Sequence, residues 1–234
     1  MPVKLKNIDV VILCGGLGKR LRKVVSDRPK SLALIRNRPF LDILLGYLLK
    51  QGFKRFVLCT GFQGRKIRDY FTKHSESKNL KFSFEDTPLG TGGAIKKAKR
   101  QISSDTFLVL NGDTFCEIDF KSLLKAHLSR ESLLTIVLTK HKKNKNTGKV
   151  KLDKSKRVVE FSEKARASGK YYNSCGIYLM QKDVFSFMRK NKFSLEYDLL
   201  PSLILKKCFG FITNAGFIDI GTPQEYKLAQ RLIT

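Results

Sequence analysis

Arg20, Lys30, Asp113 and Asp219 are the charged residues of this 234-residue chain best placed to do chemistry. The two cations follow a glycine-rich turn, Gly15-Gly16-Leu17-Gly18, which leaves an apolar run ending at Leu13. Such a turn exposes successive backbone N–H groups, donors suited to phosphate oxygens. Lys19 follows the turn directly, and Arg20 and Lys30 add side chains that can hold a phosphate chain from two sides. Two better-known phosphate loops fit badly. The dinucleotide fingerprint needs a third glycine where Leu21 stands, and the Walker pattern fails on both sides of Gly18-Lys19.

The carboxylates complement those cations. Asp113 ends an apolar run, Leu108-Val-Leu-Asn-Gly-Asp, and open parallel sheets bind ligands beyond the carboxyl ends of their strands. Asp219 lies between two isoleucines, where an unpaired acid is costly to bury, so a cation partner is expected. Two such groups suit Mg²⁺, which takes oxygen ligands and keeps waters and substrate phosphates. A second turn, Leu89-Gly90-Thr91-Gly92-Gly93-Ala94, would let a flat nucleobase lie against the main chain, with Glu85 just upstream. A carboxylate there can accept from both N1–H and the exocyclic amine of guanine, whereas uracil offers one such donor. Glu163-Lys164 sets an acid beside a base, suited to sugar hydroxyls and a sugar phosphate. Asn173 and Gly176 interrupt an otherwise apolar strand.

The elements that must position these residues alternate between strand and helix over the first half. Strands are expected over 8–13, 53–60, 81–85 and 106–110, and helices over 39–51, 63–73, 92–100 and 119–127. The second half is richer in β-structure, with strands over 133–139, 148–152, 157–161 and 171–180 and helices over 195–206 and 223–233. The pattern predicts an α/β fold: a Rossmann-like, mostly parallel sheet flanked by helices, carrying a β-rich elaboration. A single domain is expected over 1–234, with a nucleotide-binding half to about residue 130 and a sugar-phosphate-binding half beyond it.

Composition narrows the setting. With 42% hydrophobic residues the chain is globular, and no apolar run approaches the roughly 20 residues that span a bilayer. Five scattered cysteines without a C-x-x-C pair predict buried, reduced thiols and a cytoplasmic protein without zinc. The net charge of +26 attracts polyanions, which include phosphorylated substrates and, weakly, an anionic membrane surface. The densest basic cluster, Lys140 to Asn146, has no interleaved aromatics, so specific nucleic-acid binding is not expected. A basic nucleotide- or RNA-binding module stays the non-enzymatic alternative, and association into an oligomer stays open.

Taken in order, these segments resemble the sugar-1-phosphate nucleotidyltransferase family over almost the whole chain. The resemblance rests on G-G-x-G-x-R-L at Gly15–Leu21, P-K at Pro29-Lys30, L-G-T-G-G-A at Leu89–Ala94 and N-G-D at Asn111–Asp113. It continues through E-K at Glu163-Lys164, N-x-x-G-x-Y at Asn173–Tyr178 and D-I-G-T-P at Asp219–Pro223. Within the family the chain is most similar to the bacterial heptose 1-phosphate guanylyltransferase branch, through L-C-G-G at Leu13, E-x-x-P-L-G-T-G-G-A at Glu85 and F-S-L-E-x-D at Phe193. The resemblance implies Mg²⁺-dependent transfer of a nucleotidyl group from GTP to a sugar 1-phosphate, giving a GDP-sugar for surface polysaccharide and pyrophosphate. A mannose 1-phosphate or a uridylyl variant is the alternative. It further implies that Arg20 grips the triphosphate and Lys30 steadies the phosphates at the reacting centre, while Asp113 and Asp219 hold the metal. Leu13, Gly15, Gly16, Gly18, Lys19, Glu85, Gly90, Thr91 and Gly112 would bind the nucleotide, and Gly148, Glu163, Lys164 and Asn173 the sugar phosphate. Three positions depart from the pattern: Lys19 replaces a small hydroxyl residue, Ser31 a proline that stiffens the loop, and Thr147 the tyrosine before Gly148.

Overall fold

A computed structural model describes residues 3–74, 79–140, 147–162, 170–204 and 206–233. The first strand, β1 (Asp9–Leu13), is buried on both faces, as its unbroken apolar run requires. A 3-10 turn (Lys30–Leu32) and the short ribbon β2 (Leu34–Ile35) and β3 (Arg38–Pro39) lead into α1 (Phe40–Lys50). That helix stops where Gly52 adopts φ +98°, a conformation glycine takes without strain. There follow β4 (Arg55–Thr60), α2 (Gly64–His74), β5 (Leu80–Phe84), α3 (Gly90–Ala98), β6 (Thr106–Asn111), β7 (Thr114–Cys116) and α4 (Phe120–Ser129). The second half comprises β8 (Leu134–Thr139), β9 (Lys149–Leu152), β10 (Val158–Ser162), β11 (Tyr172–Gln181), a π turn (Leu195–Leu199), α5 (Leu200–Leu203), β12 (Cys208–Thr213), β13 (Phe217–Asp219) and α6 (Pro223–Leu232).

In the main sheet β6, β1, β4 and β5 lie side by side and parallel, the expected Rossmann-like half. The long strand β11 runs antiparallel to β6 and joins the second half, which adds β8, β9, β10 and β12. Alternate residues of the parallel strands enter two cores. Val10, Ile12 and Leu58 meet α1, α2 and α4 on one face, while Val11, Val57 and Val109 meet α3 and the 195–203 segment on the other.

Two expectations are corrected, and one strand is added. The second glycine turn is already the first turn of α3, which begins at Gly90. The helix expected over 195–206 is a π turn followed by α5, ending at Leu203, because the Leu199 N–H reaches back to the Ser194 carbonyl. The strand β12, which no expectation covers, pairs parallel with β8, and a Cβ on its Gly210 would sit 2.7 Å from Leu138 and Leu152.

Candidate active site

The register of β1 on β6 pairs Leu13 with Asn111, so the segments that leave both strands emerge at one end of the sheet. The strand order reverses there, the place where open α/β sheets take ligands. A cleft of about 310 Å³ opens at that point. Leu13, Gly15 and Gly16 line it from the first turn, and Gly112 and Asp113 from the end of β6. Glu85, Gly90 and Thr91 form a further wall, and Lys30 approaches from the 3-10 turn.

The glycines have different reasons for being there. A Cβ on Gly15 would lie 3.0 Å from Glu85 Oε1 and 3.2 Å from the Gly61 nitrogen, so the bare backbone lets the carboxylate reach the first turn. Gly18 sits at φ +61° and packs under Lys30, whose Cβ would be 3.1 Å from a side chain there. A Cβ on Gly112 would meet Cys14 Sγ at 2.8 Å. In the second turn the close approach is to the protein's own chain. Cβ atoms on Gly90, Gly92 and Gly93 would fall 2.5, 2.1 and 2.4 Å from Phe193 O, the Phe193 ring and Asn191 O.

Asp113 and Asp219 are distant in sequence and meet because β7 and β13 pair antiparallel, with Asp219 opposite Thr114. The Ile220 N–H then donates to the Asp113 carbonyl at 3.0 Å. Lys30 Nζ lies 2.5 Å from Asp113 Oδ2 and 3.6 Å from Asp219 Oδ1, a cation bridging two carboxylates. The Gly221 N–H donates to Asp219 Oδ1 at 2.5 Å. A Cβ on Gly221 would be 3.1 Å from Lys30 Nζ and 3.2 Å from Arg20 Nη2, so Arg20 joins the same cluster. Lys19 is exposed and lies off the cleft.

Burial pushes the Asp219 carboxyl up to about 6; Asp113 and Glu225 add to the rise, while Lys30 and the Gly221 N–H oppose it. Burial also raises Glu85, against the Leu89 N–H, which donates to Oε2 at 2.9 Å, and against Lys97. Among the described residues no three His, Cys, Asp or Glu side chains converge as a metal cage. The two carboxylates at Lys30 nevertheless fit a hard divalent ion that completes its shell with water and phosphate.

The sugar-side expectations are less concentrated. Asn173 is buried, and its Oδ1 accepts from Thr147 Oγ1 at 3.2 Å and from Lys149 Nζ. The Gly148 carbonyl accepts from the Ser174 N–H at 2.8 Å. Neither Asn173 nor Gly148 lines the cleft, and Glu163 and Lys164 lie outside the described residues. Gly176 has a packing reason: it makes the bulge of β11 at φ +65°, and a Cβ there would be 2.4 Å from Asn111 Nδ2.

Glu196 was not among the candidate residues, although it belongs to the Phe193–Asp198 motif. Its carboxylate accepts from the Thr91 hydroxyl at 2.6 Å, from Ser194 at 3.0 Å and from Tyr178 at 3.4 Å. The Thr91 oxygen also accepts from the Leu195 N–H at 2.8 Å, so its side chain is committed to the protein.

A doubly wound sheet with cations gathered over paired carboxylates at its switch point defines an enzyme that handles phosphorylated ligands. The nucleotidyl transferase family model matches residues 9–234, and the chain belongs to that family. It is 41% identical over 226 residues to D-glycero-alpha-D-manno-heptose 1-phosphate guanylyltransferase of Aneurinibacillus thermoaerophilus, covering 96% of this chain and 97% of that protein. It is 38% identical over 220 residues to the protein of the same description from Campylobacter jejuni, covering 94% and 97%. Among solved structures it resembles HddC from Yersinia pseudotuberculosis complexed with GMP-PN, at 36% identity and TM-score 0.84, covering 97% of this chain and all of the other.

Proposed function

We propose that the chain transfers a guanylyl group from GTP to D-glycero-α-D-manno-heptose 1-phosphate, giving the GDP-sugar and pyrophosphate, with Mg²⁺ as cofactor. The observation that carries this reading is the Lys30 bridge between Asp113 and Asp219 at the mouth of the switch-point cleft. It is supported by the two guanylyltransferase relatives and by the solved complex with GMP-PN. An oxygen of the sugar phosphate attacks the α-phosphorus in line; its new P–O bond forms as the bond to the β-phosphate oxygen breaks. That nucleophile is already ionised near neutral pH, so the protein's contribution is positioning and charge neutralisation.

Arg20 and Lys30 hold the triphosphate, and the open space at Gly16 leaves room for phosphate oxygens beside the main chain. Asp113 and Asp219 would hold the divalent ion, which when bound supplies positive charge beside the α-phosphate. Glu85 reads guanine through its N1–H and exocyclic amine. Glu163, Lys164, Gly148 and Asn173 would take the sugar phosphate. Five free cysteines, all buried, support a cytosolic setting. The GDP-sugar would feed surface polysaccharide synthesis.

The test is pyrophosphate release from four NTPs crossed with a panel of sugar 1-phosphates, with Mg²⁺. GTP with heptose 1-phosphate should give the highest kcat/KM; a preference for another NTP, or for mannose 1-phosphate, overturns the assignment.

A further inference from the structure

Ser31, read above only as a loop-stiffness change, has a chemical role. It follows Lys30 in the 3-10 turn and lines the same cleft. The residue is only 4% exposed, and its hydroxyl oxygen is shielded from solvent with no hydrogen-bond partner among the described residues. A buried hydroxyl left unpaired costs about 1–3 kcal/mol, so such groups in folded proteins need a reason. Packing alone gives little reason, because alanine would fill nearly the same space without the polar atom. Functional sites are where a chain tolerates a locally unfavourable choice.

The hydroxyl's surroundings define what would satisfy it. Lys30, its neighbour in the turn, carries the ammonium that bridges Asp113 and Asp219. Glu85, suited to a base edge, lies in another wall of the cleft. A serine hydroxyl reaches three staggered positions by rotation about χ1 alone, so one rotation changes which way it donates. We propose that Ser31 is a nucleotide-binding residue whose hydroxyl donates to a phosphate oxygen of the bound nucleoside triphosphate. This inference rests on the nucleotide reading of the cleft.

The test is Ser31→Ala in the full-length protein with Mg²⁺, read by calorimetric titration with GTP and separately with guanosine, alongside thermal melting without ligand. A hydrogen bond to a charged acceptor predicts at least about a tenfold weaker GTP affinity. Guanosine, which lacks phosphates, should bind the variant and the wild type equally. The ligand-free melting midpoint should hold or rise, because an unpaired buried group has been removed. Unchanged GTP affinity, equal losses for GTP and guanosine, or a lowered ligand-free midpoint would each overturn the assignment. A wild-type protein that binds no GTP would instead sink the nucleotide reading itself.

Discussion

At the cleft, single atoms decide what each charge can do. Asp113 and Asp219 share Lys30, so each carboxylate neutralises part of its charge. Asp113→Asn keeps the side chain's shape and removes the charge that neutralises the ammonium. Turnover should fall by about a hundred- to a thousandfold, on the scale seen when a preorganised electrostatic group is lost. The melting midpoint should stay near wild type; pyrophosphate release at wild-type rates would remove Asp113 from the site. Glu85 makes a subtler argument. Its Oε2 already accepts from Leu89, and its Oε1 faces Gly15 at the cleft. Glu85→Gln replaces one acceptor by a donor that opposes guanine's N1–H. The preference for GTP over UTP, measured as a ratio of kcat/KM, should drop by about tenfold or more, because a buried donor pair is then mismatched.

Elements hold these atoms in place through packing and a few buried polar groups. His127 on α4 is wholly buried between β8 and β11: Nδ1 lies 2.8 Å from Thr135 Oγ1, and Nε2 lies 3.2 Å from Gln181 Nε2. The Gln181 amide nitrogen only donates, so Nε2 accepts and Nδ1 carries the proton. Burial lowers the imidazole pKa to about 4. The unfolded chain, at about 6.5, therefore binds the extra proton first, and stability falls as pH drops from about 6.5 toward 4. This group alone should remove about 2 kcal/mol between pH 7 and pH 5. Urea denaturation of His127→Gln should show a correspondingly shallower loss than wild type over that range; equal slopes would contradict a neutral buried ring. Gly93 tests another contact. Gly93→Ala should destabilise by about 1–3 kcal/mol, since its Cβ meets the Asn191 carbonyl at 2.4 Å. A melting midpoint within 1 °C of wild type would show that the backbone yields. The parallel strands were legible because strands buried on both faces read as continuous apolar runs. The meeting of Asp113 with Asp219 was not, because it depends on β7 and β13, three residues each and too short for periodicity. The π turn was hidden for a related reason. Its i→i+5 bonding is set by Ser194 and by Glu196's contacts with Thr91 and Tyr178, which no local pattern encodes.

Across the whole molecule one property is out of proportion to any local need: 46 Lys and Arg against 20 Asp and Glu. The cluster at Lys30 uses two of those cations, and many others stand far from the cleft. Lys4, Lys6, Lys121 and Lys125, for example, rim a groove near the start of β1, at the opposite end of that strand from Gly15. Charges so placed lie away from the cleft, yet a summed field of this sign attracts incoming polyanions and is expected to raise their rate of encounter. Such a field is screened over about 10 Å at 0.1 M salt, whereas short contacts inside the cleft are screened far less. Encounter and chemistry should therefore separate. Raising ionic strength from about 0.05 to 0.3 M, with free Mg²⁺ held fixed, should lower kcat/KM for GTP several-fold and leave kcat within about twofold. Reversing the four remote lysines to glutamate should lower kcat/KM at low salt, and the difference from wild type should vanish at high salt. If kcat falls in parallel with kcat/KM, salt is acting on the Arg20–Lys30 contacts, and the net charge of +26 has no part in substrate capture.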